Sequence, residues 1–167
     1  MPNWCNNFTS FKGSSDKIEA LTNAINKAAY TEERYNEGQA IHSENIKNGY
    51  FCFIVKDEPN EIADGTEFSI RYMTKWTPNL EDLAILCREY GLDAETEFDE
   101  DSCEVYGTAK VYADGTYNVT YVEQEFLDLI YWSEEDDLYR YNDNVYEVKQ
   151  DIIDFEYSKW LESKNNI

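Results

Sequence analysis

The sequence is poor in several of the residues that mark a chemistry. It has one histidine, three prolines, seven glycines and four cysteines among 167 residues. No apolar run approaches the ~18 residues needed to span a membrane. The opening MPNWCNNF has no basic start and no apolar stretch behind it, so it does not read as a secretory leader, and a cytoplasmic protein is expected. Cys5, Cys52, Cys87 and Cys103 lie far apart, with no CxxC and only His42 for company. That spacing excludes a zinc knuckle and a dithiol motif, and buried free thiols are expected instead. His42 stands in a polar stretch and reads as solvated. There is no HExxH, no phosphate-cradling glycine loop and no nucleophile beside a base. Neither a cofactor nor an enzymatic activity is expected.

Positive charge is the scarcest resource. Fourteen Lys and Arg face 35 Asp and Glu, for a net charge of −21. Residues 1–56 are balanced, with six bases against six acids, so residues 57–167 carry the whole surplus, 8 bases against 29 acids. Such a field repels a phosphate backbone and an anionic membrane alike, which excludes direct nucleic-acid or membrane binding and makes a basic protein the natural partner. The acidity is not that of a disordered tail. Hydrophobic residues are 42% and aromatics 16%, with 14 Tyr and 4 Trp, enough for a packed core.

Periodicity supplies the elements. NNFTSFKG reads as a strand closed by Gly13. SSDKIEALTNAINKAA reads as an amphipathic helix with a serine cap and Ile18, Leu21 and Ile25 on one face. Tyr30 to Asn48 has no clear period and reads as a long loop. GYFCFIVKD, a continuous apolar run, is expected to be a strand buried on both faces. EFSIRYMTKW is a third strand, NLEDLAILCREY a second helix ended by Gly91, and LDAETEF a fourth strand. The order βαββαβ is the ferredoxin-like arrangement, an α+β fold in which two helices cover one face of an antiparallel sheet and the other face stays open. EVYGTAKVYADGTYNVTYVE adds a hairpin around Asp114-Gly115. EFLDLIYW is expected to hold a short helix, SEEDDLYRYNDN a charged turn, and KQDIIDFEYSKWLESK a terminal amphipathic helix. The expected division is residues 1–123 for the ferredoxin-like domain with its hairpin and 124–167 for an acidic extension packed on it.

The opening MPNWCNN, followed by a strand and a glycine, resembles the YubB-like family of phage and plasmid proteins. MTKWTPN before a helix, and then EYGLDAETEFDEDSCEVYGTAKVYADG, are similar to that family's tryptophan-proline helix motif, acidic strand end and glycine-aromatic strand. Thr77-Pro78-Asn79 stands where the family has Ser-Pro-Pro. The resemblance runs from about Met1 to Gly115 and implies a ferredoxin-like fold in the topological sense, with no iron-sulphur cluster, and an origin in a mobile element acting inside a host bacterial cell.

The acids fall in two base-free stretches. Asp93 to Glu104 holds seven, and Glu123 to Asp137 holds seven more. Along a strand, Asp93, Glu95, Glu97, Asp99 and Asp101 project from one side at about 6.7 Å intervals, two steps of ~3.3 Å. Neither stretch has the ligand order of a calcium loop, and one solvated row does not supply the unlike carboxylates of a glycosidase, so no metal site is expected. Trp4, Cys5 and Trp76 read as core rather than as a ligand pocket. A carboxylate row on the scale of successive phosphates, interleaved with tyrosines, suits the channel of a nucleic-acid-binding protein. The expected contact residues are Asp93, Glu95, Glu97, Asp99, Asp101, Glu134, Glu135, Asp136 and Asp137 as phosphate surrogates, with Tyr106 and Tyr139 as anchors. The expected partner is a basic nucleic-acid-binding host protein, a restriction or CRISPR nuclease. The rival reading is a non-inhibitory binding or structural module whose acidity serves solubility.

Overall fold

Alternation of buried and exposed side chains defines the first strand, β1 (Trp4–Gly13). Cys5, Asn7, Thr9 and Phe11 are buried, while Asn6, Phe8 and Lys12 are exposed on the other side. The computed structural model describes residues 3–29 and 51–165; the loop expected at Tyr30 to Asn48, with His42, lies outside the described residues. Helix α1 (Ser15–Ala29) starts where the Ser14 carbonyl accepts the N–H groups of Lys17 and Ile18, each at 3.1 Å. Asp16 occupies its first turn, where the helix dipole favours an anion, and a hydrogen bond with Ser14 holds its carboxyl below the usual value. Ile18, Leu21 and Ile25 are all buried, as their spacing predicts.

β2 (Cys52–Lys56), the short β3 (Asn60–Ile62) and β4 (Gly65–Lys75) follow, then α2 (Leu80–Tyr90) and β5 (Asp93–Glu100). These strands pair antiparallel in the order β2-β4-β1-β5, with β3 also on β4. With the two helices inserted after β1 and β4, this is the ferredoxin-like arrangement. Phe11, Phe68, Ile70, Tyr72 and Ala94 from the sheet meet Ile18, Leu21, Ile25, Leu83, Leu86 and Cys87 from the helices in one core. Gly91 ends α2 at φ +62°, donating its N–H to the Cys87 carbonyl, a left-handed position that a side chain would strain. Beneath the helices runs a buried polar ladder, with Asn7 donating to Thr74 Oγ1 at 3.0 Å and Thr9 to Thr96 Oγ1 at 2.7 Å.

The sheet continues through β6 (Val105–Val111) and β7 (Tyr117–Tyr121), giving seven strands among the described residues. Their hairpin turns at Asp114-Gly115, with Gly115 at φ +85° and Asp114 Oδ1 accepting from Thr116 N at 2.8 Å.

Two expectations about apolar residues are corrected. β2 is not buried on both faces: Phe53 is 65% exposed and Val55 is also exposed. It lies at the sheet edge, and its register shifts between Cys52 and Val55, with Phe53 at φ +55°, so the bulge turns apolar side chains outward. Trp76 is not core. It sits at φ +70° after β4, hydrogen-bonded through its N–H to the Asn3 carbonyl, and is 49% exposed. Cys5 is buried, and Trp4 is half-buried with its ring edge-on to Phe53 at 5.6 Å.

The chain divides into two compact units, Met1–Thr120 and Tyr121–Ile167. The second contains α3 (Gln124–Leu127), a small antiparallel sheet of β8 (Tyr131–Ser133), β9 (Leu138–Tyr141) and β10 (Asn144–Tyr146), and α4 (Lys149–Asn165). Its core is aromatic: the fully buried Phe126 ring lies 5.1–5.6 Å from those of Tyr141, Tyr157 and Trp160. In α4, Ile152 and Ile153 are buried but Phe155 is exposed.

The β6–β7 ladder depends on a missing side chain. A Cβ on Gly107 would collide with the Thr120 carbonyl oxygen and come within 2.7 Å of the Phe98 ring. Gly107→Ala is expected to lower stability by about 1–3 kcal/mol through this overpacking, measured by urea denaturation. Phe98→Leu in the same background should recover part of the loss, because it removes one of the two clashes.

Candidate functional site

The helix-free face of the sheet is where the acids emerge. β1 runs through its centre, with Lys12, Ser10, Phe8 and Asn6 pointing out. Opposite them across the β1–β5 ladder stand Asp93, Glu95, Glu97 and Asp99, in that order. On β4 the partners of the same β1 residues are Glu67, Ser69, Arg71 and Met73. On β6, Lys110, Thr108 and Tyr106 lie opposite Glu95, Glu97 and Asp99. Directly opposed residues share a face in an antiparallel sheet, so the row expected from β5 is present for four of its five members.

The fifth leaves the line. After Glu100 the chain enters a single 3-10 turn, Asp101–Cys103, capped by the Glu100 carboxylate, which is 2% exposed and accepts from the N–H of Ser102 at 3.1 Å and of Cys103 at 2.5 Å. Asp101 accepts from the Tyr106 hydroxyl. Tyr106 itself is 2% exposed, so its ring presents no contact surface.

The row is not bare. Lys110 Nζ lies 3.3 Å from Glu95, and Lys12 Nζ lies 4.0 Å from Glu95 and 3.6 Å from Glu67. Asp99 accepts from Asn6 Nδ2 at 2.7 Å and Asp93 from the Ala113 N–H at 2.9 Å. No cation or donor is distant in space merely because it is distant in sequence. The charges of Lys12 and Lys110 offset that of Glu95, whereas Asp93 accepts from a backbone N–H and Asp99 from a side-chain amide. Such exposed pairs add little stability but they reshape the local field. Between these strands lies an open depression of about 280 Å³ lined by Phe8, Ser10, Glu95, Glu97, Thr108 and Lys110. Lys12, Lys110, Ser10 and Phe8 were not among the residues expected here. The signal was present in the alternation of β1 and β6, which puts Lys12 and Lys110 at outward positions, but the pairing of strands was needed to bring them to Glu95.

In the second unit, Glu134 to Asp137 form the turn between β8 and β9. Asp136 is paired with Arg140 and accepts from the Ser133 hydroxyl at 3.3 Å, and Asp137, at φ +58°, donates its N–H to the Ser133 carbonyl. Glu134 and Glu135 are exposed. Tyr139 is partly buried and lies edge-on to Trp132, ring centres 4.8 Å apart.

All four cysteines are free. Cys5, Cys52 and Cys87 are buried, whereas Cys103 is exposed on the 3-10 turn. Burial pushes the Cys5 and Cys87 thiols up to about 12, and a hydrogen bond with Glu100 raises that of Cys103. Among the described residues, no group of three His, Cys, Asp or Glu side chains is placed to hold a metal ion. No helix among them is long and apolar enough to cross a membrane.

Two outcomes follow from these environments. A thiol reagent at mildly alkaline pH should modify one cysteine per folded chain, Cys103, more slowly than a free thiol, and all four after denaturation; mass mapping reads the positions. The Arg140 guanidinium and Ser133 hold the Asp136 carboxyl below its ordinary value. A carboxyl whose folded value lies below its unfolded value, about 3.9 for Asp, stabilises the fold above that value and loses the effect as pH falls through the folded one. The melting-temperature gap between wild type and Asp136→Asn should therefore be present near neutral pH and close below about pH 4.

Comparison with known proteins adds the lineage but no activity. No curated protein and no solved structure matches the chain. A family model matches residues 55–142, more than half of the chain and most of the sheet that carries the acid row. This chain belongs to the family of the ferredoxin-like domain in Api92-like proteins.

Proposed function

We propose that this protein is a non-enzymatic inhibitor from a mobile element that occupies the cationic nucleic-acid channel of a host defence enzyme, a restriction or CRISPR nuclease, by imitating a phosphate backbone. The mobile-element origin rests on the resemblance of about Met1 to Gly115 to YubB-like phage and plasmid proteins. The observation that carries the proposal is the outward row Asp93, Glu95, Glu97, Asp99 on one strand of an open sheet face, in a chain of net charge −21. Strand geometry repeats these carboxylates at about 6.7 Å, on the scale of a nucleic-acid backbone. Competition would be steric and electrostatic, with long-range charge setting the association rate.

The side-chain environments sharpen which acids do this. Within the row Glu95 contributes least, since it is offset by Lys12 and Lys110. On the second unit, among Glu134, Glu135, Asp136 and Asp137, Asp136 is likewise offset, by Arg140. Tyr139, beside the exposed Trp132, supplies the aromatic anchor; the buried Tyr106 supports Asp101 instead.

One observation favours the second reading, a binding or structural module without inhibitory action. Lys12 and Lys110 bracket Glu95 on a face that partly neutralises itself, as a solvated surface does. A single variant separates the two. Glu97→Lys, Asp99→Lys, Glu134→Lys and Glu135→Lys combined should abolish protection of plasmid DNA from the host's nucleases while the circular-dichroism melt persists. Undiminished protection by that folded variant contradicts mimicry; no protection by either protein supports the module.

A further inference from the structure

β7 ends the seven-stranded sheet. Among the described residues no strand pairs beyond it, and all five of its side chains are exposed. A sheet edge offers backbone N–H and C=O groups to any strand that arrives, and folded proteins guard it with a charge, a proline or a bulge. The opposite edge has two such guards, because β2 ends on Lys56 and carries the register shift after Cys52. β7 has none. Tyr117-Asn118-Val119-Thr120-Tyr121 contains no charge, proline or glycine in a chain where 29% of residues are charged. Its aromatic and β-branched members are good strand formers.

The hairpin sets which backbone groups face out. Tyr112 N donates to Thr116 O at 2.9 Å, so the arms pair residue 112 with 116, and hydrogen bonding toward β6 recurs every second residue, at 118 and 120. The close approach of the Thr120 carbonyl to Gly107 agrees with this. Val119 therefore turns its N–H and C=O to the outer edge.

The strand reads almost the same in both directions. Two copies laid antiparallel about Val119 set Val119 against Val119, Asn118 against Thr120, and Tyr117 against Tyr121. Apolar meets apolar, amide meets hydroxyl and ring meets ring, which is the self-complementarity that a two-fold interface requires. Charge selects the same occupant. A basic partner would be drawn to the carboxylate rows, whereas this uncharged strand is a place where two molecules of charge −21 can touch without setting carboxylate against carboxylate. We infer that β7 pairs with β7 of a second copy of this chain, continuing the sheet across a two-fold axis at Val119. Five residues bury far less than the ~1,200 Å² of a stable complex, and net charge opposes association. The dimer is accordingly weak, forms at high protein concentration, and is strengthened by salt that screens the repulsion.

Disulfide trapping of the full-length chain tests this register. The background is Cys103→Ser, because the other three cysteines are buried. In a hydrogen-bonded antiparallel pair the Cα atoms are ~5.5 Å apart, within the range a disulfide spans. Under mild oxidation at about 0.5 M salt, where the Debye length is only a few ångströms, Val119→Cys should give a covalent dimer. Tyr117→Cys or Lys110→Cys alone should not, while Tyr117→Cys mixed with Tyr121→Cys should link as a heterodimer. Val119→Lys, which sets two like charges on the axis, should keep its circular-dichroism spectrum and sediment as a monomer where the wild type dimerises. The inference is overturned if the wild type stays monomeric at high concentration and high salt. It is equally overturned if Val119→Cys links no faster than Lys110→Cys, or if Val119→Lys dimerises like the wild type.

Discussion

The pleat of β1 is the constraint on which the first unit depends. It is the central strand, paired over nearly its whole length with β4 on one side and β5 on the other. Because successive side chains point to opposite faces, one register places Phe11 with Phe68 and Ala94 under the helices and Phe8, Ser10 and Lys12 with the acids of β5 on the open side. A slip by one residue would bury Lys12 and the carboxylates and expose the core. Fold and surface charge are thus two consequences of one alternation, and the acid row cannot be redrawn without disturbing the strand that carries it.

That coupling accounts for how so acidic a chain folds. The carboxylates of β5 emerge at outward positions, solvated or met by donors from neighbouring strands: Asn6 for Asp99, the Ala113 N–H for Asp93, and Lys12 and Lys110 for Glu95. Glu100, buried at the end of β5, is satisfied by two backbone N–H groups, as a buried polar group must be. The second unit meets the same problem differently. It builds its core from rings tilted around Phe126 and holds Glu123 and Glu125 with one cation, Lys164, at 2.7 and 2.8 Å.

Period and punctuation made much of the fold legible in advance. Ile18, Leu21 and Ile25, the stop at Gly91 and the turn at Asp114-Gly115 each have a local cause, and each stands where its local cause puts it. What escaped was decided by distant partners. The apolar run of β2 looks central until the bulge and the edge position are known, and Trp76 looks like core until its left-handed backbone is seen. The strands β8, β9 and β10 are three or four residues long, too short to show a period. For the candidate site, the outward row of β5 was readable from alternation, but its lysines come from β1 and β6, and Tyr106, at an outward register opposite Asp99, is nonetheless buried with its hydroxyl donating to Asp101.

Phosphate mimicry requires this surface to compete with nucleic acid for a protein, and the most direct measurement is affinity capture from bacterial host lysate at about 0.1 M and 0.5 M salt, conditions that span weaker to stronger screening, with duplex DNA as competitor. Phosphate mimicry predicts a nucleic-acid-binding protein that is retained at the lower salt, released at the higher, and displaced by DNA. A partner that stays bound through both salt and DNA would contradict it.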